Sequence, residues 1–345
     1  MGTKLNELIS GKPMTIESLR GKTLIVDSFN ILYQFLTTIR QPDGTPLKTS
    51  IGVITSHLVG LFNRTTKLML SGIKLAFVFD GEAPKLKEFE RNRRALGKQE
   101  ALQLYEQAKL REDIDAMRKY AARTSQITEE MIESAKALLK ALGLPVIQAP
   151  SEGEAQAAYM VKKDYGFAVV SEDTDALLFG VPRLIKGLSI TRRRKERDKL
   201  SYQKTDIELI ELENVLNSLG INLDQLIALA MLVGTDFNPG GIPGIGQKKA
   251  LQWVKKYPEP ETLFNLVNWS KYFSYDWREV FEIFKNTPHT DKFELKWGKP
   301  DKKQIFELLV NKFEFSEKSV NKKLEQLEKS FGSLEQKSLD NFFRK

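Results

Sequence analysis

The chain has 345 residues, a 41% hydrophobic share, a formal net charge of +8 and a pI near 9.3, so it can hold one large α/β domain or two domains, and it favours an anionic partner such as nucleic acid. It contains no cysteine and only His57 and His289, which excludes disulfides, thiolate metal sites and a cysteine nucleophile and argues against a histidine-rich zinc centre. No apolar run approaches the roughly 20 residues of a membrane span and Met1-Gly2-Thr3-Lys4 opens no secretory pattern, so a soluble, intracellular protein is expected.

Residues 22–27 read as a strand and Ser28 to about Arg40 as a helix, followed by the turn-rich loop Gln41-Pro42-Asp43-Gly44-Thr45-Pro46. Apolar spacing from Ile51 to about Leu70 predicts a second crossover helix, and the strand Leu75–Phe79 leads to Asp80. From Lys85 to about Ser125 charge is dense and strong apolar runs disappear, which predicts exposed helix inserted between strands. Met131–Leu142 reads as an amphipathic helix stopped by Gly143, followed by the strand Pro145–Gln148 and a helix starting near Ser151. The strand Phe167–Val170 comes next. Arg192-Arg193-Arg194-Lys195-Glu196-Arg197-Asp198-Lys199 suits the tip of a β-hairpin or a loop. Helices are expected from Asp206 to about Lys256 and again over 257–330, and residues 331–345 read as a tail.

Acid closes each of the four strand-like runs. Asp27 and Asp80 end the first two, Glu152 and Glu154 follow the third, and Asp173 and Asp175 the fourth. In an open parallel sheet the carboxyl ends of the strands share one edge, where ligands bind. Carboxylates gathered there repel one another unless protons or cations neutralise them, and hard divalent cations suit oxygen ligands. Taken singly, each acid has a plainer reading. Ser151 and Glu154 have the spacing of a capping box, and Asp173 has the place of an N-cap. Asp236, after Leu232-Val233-Gly234-Thr235, would be unremarkable in a turn. Their joint occurrence favours a metal-dependent phosphodiesterase, because two ions about 3.5–4 Å apart can activate water and stabilise a leaving oxygen.

Gly240-Gly241-Ile242-Pro243-Gly244-Ile245-Gly246-Gln247-Lys248-Lys249 opens a helix after a compact turn. Glycines there let backbone N–H groups approach a phosphate, and the pattern is not a nucleotide-triphosphate loop. Gly244, Gly246, Lys248 and Lys249 therefore suit a DNA backbone, or a plain helix–turn–helix connection. Lys87, Arg91, Arg93 and Arg94 follow the Asp80 strand and either contact a phosphate or keep a helix soluble. Arg192, Arg193 and Arg194 either touch a duplex or cap a solvated hairpin. Tyr33 can stack a base or belong to the core.

In this order the segments Val26-Asp27, Phe77-Val78-Phe79-Asp80-Gly81, Ala149-Pro150-Ser151-Glu152-Gly153-Glu154-Ala155, Ser171-Glu172-Asp173-Thr174-Asp175, Gly234-Thr235-Asp236-Phe237 and Gly241-Ile242-Pro243-Gly244-Ile245-Gly246 resemble the XPG family of structure-specific 5′ nucleases, especially its archaeal flap endonucleases. The likeness runs over nearly the whole chain. It implies an α/β fold with a mostly parallel central sheet flanked by helices, of the PIN-like 5′ nuclease type. It further implies one nuclease domain over 1–330, with 85–125 as a helical gateway and cap and 225–256 as a helix–two-turn–helix. By the same resemblance Asp27, Asp80, Glu152, Glu154, Asp173, Asp175 and Asp236 hold two Mg²⁺, with Mn²⁺ as substitute. Lys87 and Arg94 serve the scissile phosphate, Tyr33 stacks beside the cut, Arg40 lies near the substrate's bend, and the glycine turn takes K⁺. Glu172, Thr174 and Phe237 depart from the family's more frequent Gln, aromatic and Tyr, and none of them is a proposed ligand.

Gln336-Lys337-Ser338-Leu339-Asp340-Asn341-Phe342-Phe343 has the form Gln-x-x-Leu-x-x-Phe-Phe. In a 3₁₀ turn Leu339 and Phe342 share a side with Phe343 next to them, an apolar surface that needs a cover. The motif resembles the box that docks on a sliding clamp of the PCNA type. Only Arg344-Lys345 follow, which suggests an archaeal, hence cytoplasmic, protein; a eukaryotic source would make it nuclear. The resulting expectation is a monomeric, Mg²⁺-dependent 5′ flap endonuclease with 5′–3′ exonuclease action in replication and repair, tethered to the clamp. Its rivals are a catalytically inactive, clamp-associated branched-DNA-binding protein and a small-molecule phosphohydrolase, whose Asp-x-Asp signature Asp27-Ser28-Phe29 lacks.

Overall fold

The computed structural model describes residues 5, 7–111, 113–188, 193–195, 202–204 and 207–343, and for 114, 118, 193–195, 202–204 and 331–343 the backbone alone. Strands β1 (Lys12–Met14), β2 (Thr23–Asp27), β3 (Lys74–Phe79), β4 (Val146–Gln148), β5 (Ala168–Val170), β6 (Arg183–Lys186), β7 (Arg193–Lys195), β8 (Tyr202–Lys204) and β9 (Ile207–Glu211) alternate with helices. The helices are α1 (Ser28–Thr38), α2 (Ser56–Leu70), α3 (Lys87–Leu110), α4 (Ile114–Ala121), α5 (Glu129–Ala141), α6 (Gly153–Lys162) and α7 (Leu212–Leu219). They continue with α8 (Leu223–Val233), α9 (Gln247–Lys256), α10 (Pro260–Leu266), α11 (Trp277–Asn286), α12 (Lys302–Phe306) and α13 (Glu317–Phe343). No single helix among the described residues is long and apolar enough to cross a membrane.

A seven-stranded sheet in the order β1-β9-β6-β5-β2-β3-β4 organises these elements. Neighbours from β4 through β3, β2 and β5 to β6 are parallel, and β9 and β1 complete one side antiparallel. Both faces are covered, as a parallel sheet with helical crossovers requires. Along β3, Leu75, Phe77 and Phe79 enter one core while Ala76 and Val78 enter the other. The first core is completed by α1, α2 and α5, the second by α6, α7 and α8. The four acid-tipped strands of the sequence are thus adjacent and point the same way, in the order β4, β3, β2, β5.

Some sequence-based expectations need correction. The stretch from Asp206 begins with strand β9, not helix; Ile207-Glu208-Leu209-Ile210-Glu211 pairs with β6 on one side and Lys12–Met14 on the other, and that pairing overrides its local preference. The second crossover helix starts at Ser56, because the preceding residues fold into a turn in which Gly52 N–H donates to the Thr49 carbonyl at 3.0 Å, leaving Ile51 82% exposed. Residues 287–301 carry no regular structure, although a helical reading covered 257–330; Pro288 and Pro300 bracket the stretch and Gly298 lies within it. The tail does not stop at Gly332: the backbone of α13 continues through Phe343, so Gln336, Leu339, Phe342 and Phe343 lie in its last turns, and their side chains lie outside the described residues.

The non-helical strap 287–301 is fastened along its length. Buried Gln156 of α6 donates from Nε2 to the Thr290 carbonyl at 2.9 Å and accepts Thr290 N–H at 2.8 Å. The Tyr159 hydroxyl donates to Asp291 at 2.6 Å, and Trp297 Nε1 donates to the Leu75 carbonyl of β3 at 2.8 Å. Gln156→Ala would strand the Thr290 N–H and carbonyl, each unmade bond costing about 1–3 kcal/mol. The expected result is a lower denaturant midpoint together with faster amide exchange over 287–301. An unchanged midpoint and unchanged protection would contradict this role for the clamp.

Candidate active site

The carboxylate edge forms because each acid begins the element that follows a strand. Asp27 ends β2 and is the N-cap of α1, its Oδ1 accepting from Asn30 N–H at 3.2 Å and its Oδ2 from the Ser171 hydroxyl at 3.1 Å. Asp80 follows β3 and accepts the Gly153 N–H at 2.8 Å, so it reaches the first turn of α6. Glycine at 153 leaves that carboxylate its place: a Cβ there would lie 2.5 Å from Asp80 Oδ1 and push it aside. Asp173 caps the short 3₁₀ helix Thr174–Phe179 by accepting from Asp175 N–H at 3.1 Å. The capping reading of Asp27 and Asp173 is therefore realised alongside any chemical role.

The capping box of Ser151 and Glu154 is not. The N-cap of α6 is Glu152, which makes no side-chain cap bond, and the Ser151 hydroxyl donates to the Glu82 carbonyl at 3.0 Å. Both glutamates are left for other partners. Glu152 is 5% exposed and takes Lys87 Nζ at 2.6 Å. Glu154 faces Asp173, Asp27 and Asp175.

The acids sense one another strongly. Burial first, then Asp80, pushes Asp27 up from 3.8 to about 7. Burial first, then Glu152, pushes Asp80 up to about 6. Glu154 is held well above the ordinary carboxylate range by burial and by its three acidic neighbours. Lys87 moves the opposite way: burial opposes its charge, but Glu152, with Asp80 and Glu154 behind it, outweighs that and raises its pKa.

Asp236 joins from the other side of the chain. The turn after α8 is tied by buried Asn238, which accepts the Thr235 hydroxyl at 2.6 Å and donates to the Met231 carbonyl at 2.7 Å. The glycine turn packs onto it; Gly241 has φ +58 and a Cβ there would meet the Leu232 carbonyl oxygen at 2.4 Å. Arg94 Nη2 reaches Asp236 Oδ1 at 2.5 Å and so links α3 to this turn. Of the two adjacent arginines, Arg94 touches a site carboxylate, whereas Arg93 closes on Glu90.

The donor set is all oxygen, and burial and neighbouring acids raise the pKa of Asp27, Asp80 and Glu154, which fits a hard divalent cation. Among the described residues no three acids converge closely enough to hold an ion as they stand, and Lys87 and Arg94 engage Glu152 and Asp236 directly. The chain's own cations thus occupy part of the place that metals would take.

The remaining predicted residues are spread around this edge. Tyr33 lies on α1, 41% exposed, and is not core. Arg40 is engaged by its own chain, donating to the Thr37 carbonyl at 3.2 Å, to the Gly44 carbonyl at 2.7 Å and to the Ser125 hydroxyl. Gly244 has φ +78 in the turn, and Gly246 is the N-cap of α9, which carries Lys248 and Lys249 in its first turn; Lys249 Nζ lies 3.4 Å from the Gly244 carbonyl. Arg193 and Arg194 sit on β7, paired with β8, while Arg192 lies outside the described residues. Sequence reasoning passed over Ser171, Gln148, whose Nε2 donates to the Asp80 carbonyl at 2.6 Å, and Glu90. Only Glu90 had a legible signal, an acid three and four residues ahead of two arginines on one helix.

Comparison with known proteins places this arrangement. The model of the XPG N-terminal domain matches residues 3–101, and that of the XPG I-region matches 143–236. Flap endonuclease 1 of Thermococcus onnurineus is 47% identical over 343 residues, covering 99% of each chain. Flap endonuclease 1 of Pyrococcus furiosus is 46% identical over 345 residues, covering 100% of each. The solved flap endonuclease-1 from Methanococcus jannaschii superposes with a TM-score of 0.76 at 39% identity, over 96% of this chain and 99% of that one. The catalytic core of Rad2 in complex with DNA substrate shares the fold at a TM-score of 0.67 and 22% identity, over 92% of this chain and 96% of that one. With its PIN-like sheet, its acid-lined edge and these full-length relatives, the chain belongs to the XPG family, in its flap endonuclease 1 group.

Proposed function

We propose that this chain is a structure-specific 5′ flap endonuclease, hydrolysing a DNA phosphodiester near the junction of single strand and duplex, with 5′–3′ exonuclease cleavage at the same centre. The observation that carries the reading is the pairing of Lys87 with Glu152 at 2.6 Å and of Arg94 with Asp236 at 2.5 Å across one acidic edge. Seven residues apart on α3, the two cations lie about two helical turns apart on one face, so both long side chains face the acidic edge. The inactive clamp-associated rival has no observation in its favour, since every acid of the set is in place and the relatives are named as endonucleases.

Asp27, Asp80, Glu152, Glu154, Asp173, Asp175 and Asp236 would hold two Mg²⁺ ions, or Mn²⁺ in their stead. Bound there, such a pair supplies an activated water and neutralises the leaving oxygen. The chain's own work is positional and electrostatic. Asp27 and Asp80, with their raised pKa values, would release their protons to bound cations, and Lys87 and Arg94 would be free to turn from the acids to the substrate phosphate. The product ends are 5′ phosphate and 3′ hydroxyl.

Around the cut, exposed Tyr33 stacks a nucleotide and Arg40 stands near the bend of the substrate. The helices of 85–125 frame the passage of the free 5′ strand. The glycine turn, with Gly244, Gly246, Lys248, Lys249 and a K⁺ ion, holds duplex backbone, and the basic residues Arg192, Arg193 and Arg194 add contacts to it. Gln336, Leu339, Phe342 and Phe343 dock on a sliding clamp of the PCNA type. The enzyme acts as a monomer on branched DNA in the archaeal cytoplasm.

On a 5′-labelled double-flap DNA with Mg²⁺, Asp175→Ala should lose at least about a hundredfold in cleavage rate, the scale of removing one electrostatic contact to a transition state. EDTA should abolish cleavage by the wild type, and the variant should still bind the DNA. Tight binding without cleavage by the wild type in Mg²⁺ or Mn²⁺ would sink the nuclease reading. Replacing both Phe342 and Phe343 by Ala should abolish clamp binding in a pull-down against purified clamp and leave flap cleavage unchanged. Clamp binding that survives the double change would rule out the docking assignment.

Asp27 also makes a pH prediction. Its pKa is near 7 in the fold against 3.8 for the free side chain, so the folded state holds the extra proton between those values. Stability from this group is therefore present at low pH and lost as pH rises toward 7. Without metal, Asp27→Asn should melt above the wild type at pH 8, with the gap closing toward pH 4, and it should lose part of the rise in melting temperature that Mg²⁺ gives the wild type. A variant that melts below the wild type at pH 8 without metal would show that the hydrogen bonds Asp27 accepts outweigh the repulsion it suffers.

A further inference from the structure

Helix α3 is charged and open along most of its length, yet one acid on it is hidden. Glu90 is 3% exposed, and with Ala101 and Ala108 it makes up the buried residues of that helix. A carboxylate taken out of water is costly unless its oxygens are fully used. Here they are. Arg93 grips it as a fork, Nε to Oε2 at 2.7 Å and Nη2 to Oε1 at 2.9 Å. Arg94 donates from Nε to Oε1 at 2.8 Å, and its Nη2 goes on to Asp236.

The two arginines are treated differently. Arg93 ends at Glu90 and is 63% exposed in its side chain, whereas Arg94 is 38% exposed and spans from Glu90 to the acidic edge. A guanidinium is flat and rigid, so fixing its Nε sets the plane of the whole group and the direction of its far nitrogens. The spacing of four residues places Glu90 on the same face of α3 as Arg94, one turn toward the helix start. Glu90 also partly neutralises two adjacent positive groups, since Arg93 Nη2 and Arg94 Nε share its Oε1.

We propose that Glu90 is a positioning residue for Arg94: by fixing the Nε end of the guanidinium, it aims the Nη end at the phosphate to be cut, without touching the substrate itself. This rests on the reading of Arg94 as a phosphate contact. It differs from a purely helix-stabilising role through the Glu90–Arg93 pair, which would be indifferent to whether Arg94 is present.

The test is a double-mutant cycle in single-turnover cleavage of double-flap DNA with Mg²⁺, combining Glu90→Gln with Arg94→Ala, and DNA affinity measured in parallel in EDTA. Glu90→Gln should slow cleavage about tenfold or more with affinity within about twofold of wild type, and it should add nothing in the Arg94→Ala background. Glu88→Gln, which removes an exposed acid of the same turn, should cleave as the wild type does. Cleavage by Glu90→Gln at the wild-type rate would overturn the proposal. So would losses that multiply in the double variant, because a general loosening of α3 slows the Arg94→Ala background too. A wild type that binds without cleaving would bring down the nuclease reading instead, and this proposal with it.

Discussion

Mutual repulsion among buried carboxylates is the constraint on which the rest of this molecule depends. The fold stacks β4, β3, β2 and β5 in parallel, and each delivers acid to the same edge. Burial then strips those acids of water, so that Asp27 and Asp80 are pushed up to about 7 and about 6. Such an edge is unfavourable by itself and becomes favourable when cations arrive. In the proposed function, that instability would give the edge its affinity for metal and, through metal, for phosphate.

Other features follow from that need. Lys87 and Arg94 answer part of the charge from within the chain, at Glu152 and Asp236. Because both lie on α3, the helical insertion is tied to the site by ion pairs rather than by a deep core, and its own buried residues are few. Ion pairs of this kind can exchange one anion for another, which suits the proposed meeting of α3 with a substrate phosphate. By contrast, the elements that set the acids in place are rigid: the Asn238 knot behind Asp236, the Gly153 contact beneath Asp80, and the Gln156 clamp of the strap onto α6.

The candidate acidic edge was largely legible in the sequence because six of its acids, Asp236 excepted, come at or just after the ends of strands, and a strand that ends in Asp states both the position and the edge. The central strands were legible for a similar reason, as short apolar runs of Val, Ile, Leu and Phe with both faces buried. Strands β1 and β9 were not. They are short, Pro13 sits in one, and the Ile-Glu-Leu-Ile-Glu of the other suits a helix until pairing with β6 decides the matter. Residues 287–301 misled for a different reason: their aromatics are spaced like a helix face, but they serve as separate anchors, Trp297 on β3 and Phe293 against Tyr165. Nor could the sequence say that Arg94, and not Arg93, reaches Asp236, since that choice depends on the three-dimensional place of Glu90.

Everything proposed for this chain depends on the acidic edge as a place for two cations. The most direct measurement is anomalous diffraction from crystals grown with Mn²⁺ and a flap-cleavage product. Two peaks about 4 Å apart are expected, ringed by Asp27, Asp80, Glu152, Glu154, Asp173, Asp175 and Asp236, with Lys87 withdrawn from Glu152. Peaks only elsewhere, or an edge that still keeps the Lys87–Glu152 pair at saturating Mn²⁺, would contradict it.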